Sequence, residues 1–213
     1  MKVSISTDPI KDDLVEYVKA VELDADYIHC DVMDGKFVPK QNFSIDKMKQ
    51  INSISTIPLD VHLMVENPMD YISEYAESGA NIITVHYESF KDYKQIENAI
   101  EEIKRHKCLA GISLNPDTFI DRIVPLLNKV DMVLIMSVVP GKSGQIFIQE
   151  TYDKIKTLNK YKKYNNYKFL VEVDGGVNPD ISKELEKLDV DMVVSGNYVY
   201  SSVDKKQAID SLK

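Results

Sequence analysis

The sequence predicts an α/β protein that closes into a single (β/α)8 barrel spanning residues 1–213. Three observations lead there. Eight short runs rich in Val, Ile and Leu recur along the chain, each the length of a buried strand. Longer segments with helical spacing separate them, an alternation that implies parallel strands joined by crossover helices. The first run ends in Ser6-Thr7-Asp8-Pro9 with no Gly-rich dinucleotide fingerprint, which disfavours an open doubly wound sheet.

The strand runs are Val3–Ser6, Tyr27–Val32, Pro58–Val65, Ile82–Tyr87, Cys108–Leu114, Met132–Val138, Phe169–Val173 and Met192–Ser195. After the fourth run, Ile96, Ile100 and Ile103 mark one helical face, with Lys94, Glu97, Glu101 and Lys104 largely off it. Asp117 is placed to start a helix over Thr118–Leu127. Asn178-Pro179 is placed to start one over Ile181–Leu188, with Pro179 at the first helical position. No linker or composition break divides the chain.

Composition narrows the class. A net charge of -8 lacks the basic stripe of a nucleic-acid binder. No run approaches the roughly 18 apolar residues of a membrane span. Asp8, Asp12 and Asp13 fall where a signal peptide needs an apolar core, and the two cysteines, Cys30 and Cys108, are too few for a disulfide framework. A cytoplasmic protein is expected, with no nucleic-acid or membrane partner.

Barrel sites lie at the C-terminal ends of the strands, and side chains alternate along a strand, so parity selects the candidates. His29, Asp31 and Met33 share one face of their strand, opposite Ile28, Cys30 and Val32. Asp60, His62 and Met64 share a face opposite Leu59, Val61 and Leu63, and the same parity pairs Glu172 with Asp174. The apolar sets suit packing against outer helices, which sends the polar sets into the barrel. Buried polar layers that satisfy one another would explain any single one of these strands. Three strands delivering His29, Asp31, His62 and Asp174 together suit a divalent transition metal. His86 ends the fourth strand run, in Thr84-Val85-His86-Tyr87-Glu88, and reads as a supporting or structural histidine rather than a ligand. His106, in a Lys-rich helix end, reads as solvated, and Cys30 as core.

Three late loops carry glycine: Pro140-Gly141-Lys142-Ser143-Gly144-Gln145, Gly175-Gly176 and Gly196-Asn197. Such loops hold phosphate through backbone N–H groups, although tight turns need glycine anyway. Only Arg105 and Arg122 exist, both in expected helices, so a phosphate here would rely on backbone amides with Lys142 or Ser143.

Four strings in order, His29-Cys-Asp-Val-Met-Asp-Gly-Lys-Phe-Val-Pro, Leu59-Asp-Val-His-Leu-Met-Val, Met136-Ser-Val-Val-Pro-Gly and Glu172-Val-Asp-Gly-Gly-Val, resemble the ribulose-phosphate 3-epimerase family. The resemblance runs from about Val3 to Lys213. It implies a TIM barrel of the ribulose-phosphate-binding type that interconverts D-ribulose 5-phosphate and D-xylulose 5-phosphate, with one divalent metal ion (Zn, Fe, Mn or Co) per subunit. Its metal ligands fall on His29, Asp31, His62 and Asp174. Asp31 and Asp174 would also carry protons on the two faces of a metal-stabilised cis-enediolate. Ser4, Met33, His62, Met64, Met136, Gly141, Gly144, Gly175, Gly176, Gly196 and Asn197 match substrate-binding positions. A homo-oligomer, dimer or hexamer, is implied.

The chain departs from the family pattern around Ser4, in Gly141-Lys142-Ser143-Gly144, where Gly-Phe-Gly-Gly is usual, and at Asn197, where serine is usual. These positions bear on sugar length, so a 3-epimerase of a hexulose 6-phosphate such as D-allulose 6-phosphate is the nearest alternative. A phosphate-barrel decarboxylase would need Asp-x-Lys-x-x-Asp, and Asp31-Val-Met-Asp34 has no lysine. A non-catalytic binding barrel would be expected to have lost one of the four polar residues, and none is missing.

Overall fold

An open sheet leaves unpaired backbone groups on its edge strands, and this chain removes its edges by closure. The computed structural model describes residues 1–10 and 13–213. Its strands are β1 (Lys2–Ser6), β2 (Tyr27–Asp34), β3 (Gln41–Asn42), β4 (Leu59–Met64), β5 (Ala80–His86), β6 (Leu109–Leu114), β7 (Met132–Met136), β8 (Leu170–Asp174) and β9 (Met192–Ser195). The parallel order β1-β9-β8-β7-β6-β5-β4-β2 returns to its start because β1 also pairs with β2. The result is a closed eight-stranded barrel. The two-residue β3 is an antiparallel arm on the end of β2, with Asn42 opposite Met33.

Helices α1 (Leu14–Val21), α2 (Ile45–Ile54), α3 (Ile72–Glu77), α4 (Tyr93–Arg105), α5 (Thr151–Tyr164), α6 (Pro179–Glu186), α7 (Asn197–Ser201) and α8 (Lys205–Asp210) accompany the strands. The expected isoleucine face of α4 is buried as Ile96, Ile100 and Ile103, joined by Ala99, and Asp92 caps the helix by accepting from the Gln95 amide at 2.9 Å. Asn178 caps α6 through the amides of Asp180 and Ile181, with Pro179 in the first turn. The expected helix over Thr118–Leu127 is absent. Two short 3-10 turns, Ile120–Arg122 and Val124–Leu126, stand there instead. Pro125 lacks the N–H that would have closed on Asp121, and its ring crowds the preceding turn. The expected strand Met132–Val138 also ends early, as β7 at Met136, where Ser137 turns to donate its amide to the Asp174 carbonyl at 2.9 Å.

Two apolar regions follow from strand parity. Ile28, Cys30, Val32, Val61 and Leu63 pack outward with the helices into the main core. Inside, Ile82, Met132 and Met192 plug the N-terminal end, with Tyr27 and Leu170 against them. Above that plug the interior turns polar.

Candidate active site

The parallel register of β2 on β4 sets His29 beside Asp60 and Asp31 beside His62. Register on β7 sets Asp174 beside Met136. His29, Asp60, His62 and Glu172 are completely buried, and the Asp31 and Asp174 side chains keep only 8% and 14% of their exposure.

A polar column fills the barrel. At its base Asp60 Oδ2 accepts from Ser4 Oγ at 3.0 Å and lies 2.6 Å from His29 Nδ1. With Asp60 ionised, Nδ1 of His29 carries the hydrogen, so the neutral ring offers its lone pair at Nε2. That Nε2 has no hydrogen-bond partner; it faces Asp31 Oδ1 at 3.3 Å and Asp174 Oδ2 at 3.8 Å. His62 Nδ1 is also buried without a partner, 3.5 Å from Asp31 Oδ1 and 3.6 Å from Asp174 Oδ2. The four ligand atoms lie within 4.8 Å of one another.

Burial and mutual charge set the ionisation. Burial alone would raise Asp31, but the His29 and His62 imidazoles that face its Oδ1 hold it well below the usual carboxylate range. Asp174 is pushed up to about 7, first by burial and then by the charge of Asp31. Burial also lowers His62. Beneath them Glu172 is raised well above its ordinary value by burial and by Asp60. A protonated Glu172 supplies a donor where Asp60 Oδ1 and both Glu172 oxygens otherwise lack partners.

Two unpartnered imidazole nitrogens aimed at two carboxylates are an unfavourable arrangement until a cation joins them. Two nitrogen and two oxygen donors at this spacing fit one divalent transition-metal ion. The second cluster, His29, Asp60 and Glu172, shares His29 and lies deeper. There the close His29–Asp60 contact takes up the facing nitrogen.

Above the four residues opens a cavity of about 300 Å³. Of the residues singled out in the sequence, Asp31, Met33, Met64, Met136, Gly141, Gly144, Asp174, Gly175, Gly176, Gly196 and Asn197 line it. His29 and His62 lie under its floor. Ser4 does not reach it. Two residues lower on β1, Ser4 serves Asp60, and Ser6 takes the place at the cavity, donating to Asp31 Oδ2 at 2.7 Å. Asp8 is a second lining residue that sequence reasoning missed. Its Oδ1 accepts from Asn42 Nδ2 at 2.7 Å and pairs with Lys40, tying the β1 loop to the β3 arm. The signal for Ser6 was present, since parity places it on the face of Ser4.

The late loops are locked together. Ser137 Oγ lies 2.8 Å and 2.6 Å from the carbonyl oxygens of Asp174 and Gly175. Gly175 and Gly176 have φ of 113° and 68°, in the region that favours glycine. Lys142 and Ser143 line the cavity rim, whereas Arg105 and Arg122 lie in α4 and a 3-10 turn away from it. His86 is buried and points inward, its Nε2 2.8 Å from His62 Nε2. His106 is only partly solvated, held by Ser73 and Glu102. No helix among the described residues is long and apolar enough to cross a membrane.

Comparison with known proteins gives a consistent picture. The profile of the ribulose-phosphate 3 epimerase family matches residues 2–200. The ribulose-phosphate 3-epimerase of Helicobacter pylori strain J99 is 38% identical over 203 residues, covering 94% of this chain and 92% of the relative. That of Bacillus subtilis is 37% identical over 190 residues, covering 89% and 86%. Among solved structures, the tryptophan synthase A-subunit of Pyrococcus furiosus superposes with a TM-score of 0.72 over 99% of this chain and 96% of its own. At 15% identity that likeness shows the barrel fold alone.

Proposed function

The chain belongs to the ribulose-phosphate 3-epimerase family and is an epimerase, and we propose that it interconverts D-ribulose 5-phosphate and D-xylulose 5-phosphate with Asp31 and Asp174 as its two proton carriers. The observation that carries this reading is the convergence of two carboxylates, Asp31 and Asp174, on one cavity beside two unpartnered imidazole nitrogens. Inversion at C3 requires a proton to leave one face and another to arrive on the opposite face, which one group cannot do alone. Asp31, held ionised, takes the C3 proton. Asp174, the second carboxylate on the cavity, returns one. In the reverse direction the roles exchange.

Ser6 holds Asp31 through Oδ2 and leaves Oδ1 toward His29 and His62. Met33, Met64 and Met136 form an apolar, polarizable wall beside the carboxylates and keep bulk water from competing for the transferred proton. His29, Asp31, His62 and Asp174 would hold one divalent ion, Zn, Fe, Mn or Co by donor type, which supplies Lewis-acid stabilisation of the negative charge that develops at the sugar. We assign the phosphate to backbone amides of Gly175-Gly176 and Gly196-Asn197, with Lys142 and Ser143 at the rim. Two buried free thiols, Cys30 and Cys108, favour a reducing, cytoplasmic setting. A homo-oligomer is part of the same proposal, to be read from the mass of the protein in solution.

The test is a coupled assay of metal-loaded protein on D-ribulose 5-phosphate and D-allulose 6-phosphate. The expected result is a kcat/KM advantage of about tenfold or more for the pentulose, worth roughly 1.4 kcal/mol in transition-state binding. Preference for the hexulose would overturn the substrate assignment. In heavy water, two proton carriers should deliver solvent deuterium to C3 of the product before any appears in recovered substrate. Early label in the substrate would overturn the roles of Asp31 and Asp174.

A further inference from the structure

Glu88, His86 and His62 form a hydrogen-bonded line whose direction is set at its outer end. Glu88 lies in the 3-10 turn Tyr87–Ser89 that follows β5. Three donors converge on its carboxylate. Oε1 accepts from the Asn115 amide at 2.8 Å and from the Thr118 hydroxyl, and Oε2 lies 3.1 Å from His86 Nδ1. Only a group that accepts at both oxygens suits that position, so His86 Nδ1 carries the hydrogen.

In a neutral imidazole the other nitrogen is then a lone pair. His86 Nε2 lies 2.8 Å from His62 Nε2, which must therefore be the donor. His62 is left with its lone pair on Nδ1, the buried atom without a partner that faces Asp31 and Asp174. The opposite direction would set a His86 lone pair against a carboxylate oxygen. It would also place a hydrogen on His62 Nδ1, where a cation needs the lone pair. Both rings are completely buried and meet edge to edge, inclined at 22° with centroids 4.9 Å apart, so solvent does not reset the line. Phe37 packs against His86, its centroid 4.7 Å away.

We propose that Glu88 and His86 are positioning residues that hold His62 in the tautomer with a free Nδ1, and so set the affinity of the site for a divalent cation. The proposal rests on the metal reading of His29, Asp31, His62 and Asp174. Partners of this kind fix ring orientation and tautomer of a histidine ligand, and their loss typically weakens metal binding about 10–100-fold. Glu88→Gln keeps the shape but brings an amide NH2 that must face either His86 Nδ1 or the Asn115 amide, each already a donor. His86→Phe keeps a planar ring and removes the acceptor for His62 Nε2–H.

The experiment measures zinc affinity of the full-length protein by competition with a chromophoric chelator, together with ring 15N spectra of the metal-free protein. The expected result is a dissociation constant raised about 10–100-fold in Glu88→Gln and His86→Phe. His62 should be protonated only at Nε2 in the parent and should show mixed tautomers in Glu88→Gln. A role confined to stability would lower the unfolding midpoint and leave both readouts unmoved. Unchanged zinc affinity in Glu88→Gln, or a parent His62 protonated at Nδ1, would overturn the proposal. Should His86→Phe fail to fold, Glu88→Gln and the parent spectrum decide. A parent protein that takes up no zinc would overturn the underlying metal reading, an outcome seen before any variant is made.

Discussion

Gly176→Ala tests how the rim of the cavity is built. Gly176 sits at φ 68°, and an added Cβ would lie 2.7 Å from the backbone nitrogen of Phe147 and 3.0 Å from the Gln145 carbonyl oxygen. Both atoms are main chain, so no rotamer change relieves the contact. Gly144 supplies the control. Its φ of 76° is nearly the same, yet a Cβ there would meet only the Asn197 amide at 3.8 Å. Each substitution carries a left-handed backbone penalty of about 1–2 kcal/mol. Gly176→Ala adds overpacking of about 1–3 kcal/mol, because two loops must separate. The expected losses are therefore about 2–5 kcal/mol for Gly176→Ala and about 1–2 kcal/mol for Gly144→Ala. Equilibrium urea unfolding of both variants reads the difference. Steady-state kinetics should show the larger KM increase for Gly176→Ala, since its amide belongs to the proposed phosphate loop. Equal losses of stability, with equal KM for D-ribulose 5-phosphate, would refute both the tight loop contact and its part in substrate binding.

Three further expectations concern the chemistry. Asp31→Asn and Asp174→Asn should each keep the circular-dichroism spectrum of the parent and lower turnover by about 10²–10⁴-fold, the usual worth of a general acid or base; a variant retaining most of its turnover would contradict the two-carboxylate scheme. His62→Ala should lose its metal, and elemental analysis showing full occupancy would remove His62 from the ligand set. Asn197→Ala should raise KM for the phosphorylated sugar while kcat changes little, and an unaltered KM would move the phosphate elsewhere.

The barrel was legible because alternation along each strand is strict. Once Ile28, Cys30 and Val32 were assigned outward, His29 and Asp31 had to face inward, and the same rule found His62 and Asp174. The misread elements share a different cause, which is contact between residues far apart in the chain. Thr118–Leu127 has helical spacing, but Pro125 breaks the ladder and Thr118 is drawn to Glu88, 30 positions earlier. Ser4 and Ser6 share a face and a residue type. Only the register of β1 on β2, which sets Ser6 beside His29, decides which serine reaches the cavity. His86 was ambiguous for the same reason: one further residue at a strand end decides between inward and turned away, and the ring of His62 holds it inward. Asp8 carried no local signal, since its partners Lys40 and Asn42 come from the β3 arm.

The two candidate imidazole ligands are supported from opposite directions. His29 is held from within the barrel, by Asp60 on β4 and through it by Ser4 on β1. His62 is held from the outer loops, by His86 and through it by Glu88. No residue belongs to both lines, and the two rings meet only where the cation would lie, with centroids 5.6 Å apart. Separate supports predict separate energetics. Ser4→Ala removes one of the donors on Asp60 and should weaken cation binding by about 1 kcal/mol. Combined with Glu88→Gln, its effect on zinc affinity should add to within about 0.5 kcal/mol, as expected for sites without shared partners. A coupling well above that, measured by a double-mutant cycle, would mean that the interior column and the outer line move as one unit. Such a result would point to the one element both supports act on, the shared position of Asp31 and Asp174 between the two rings.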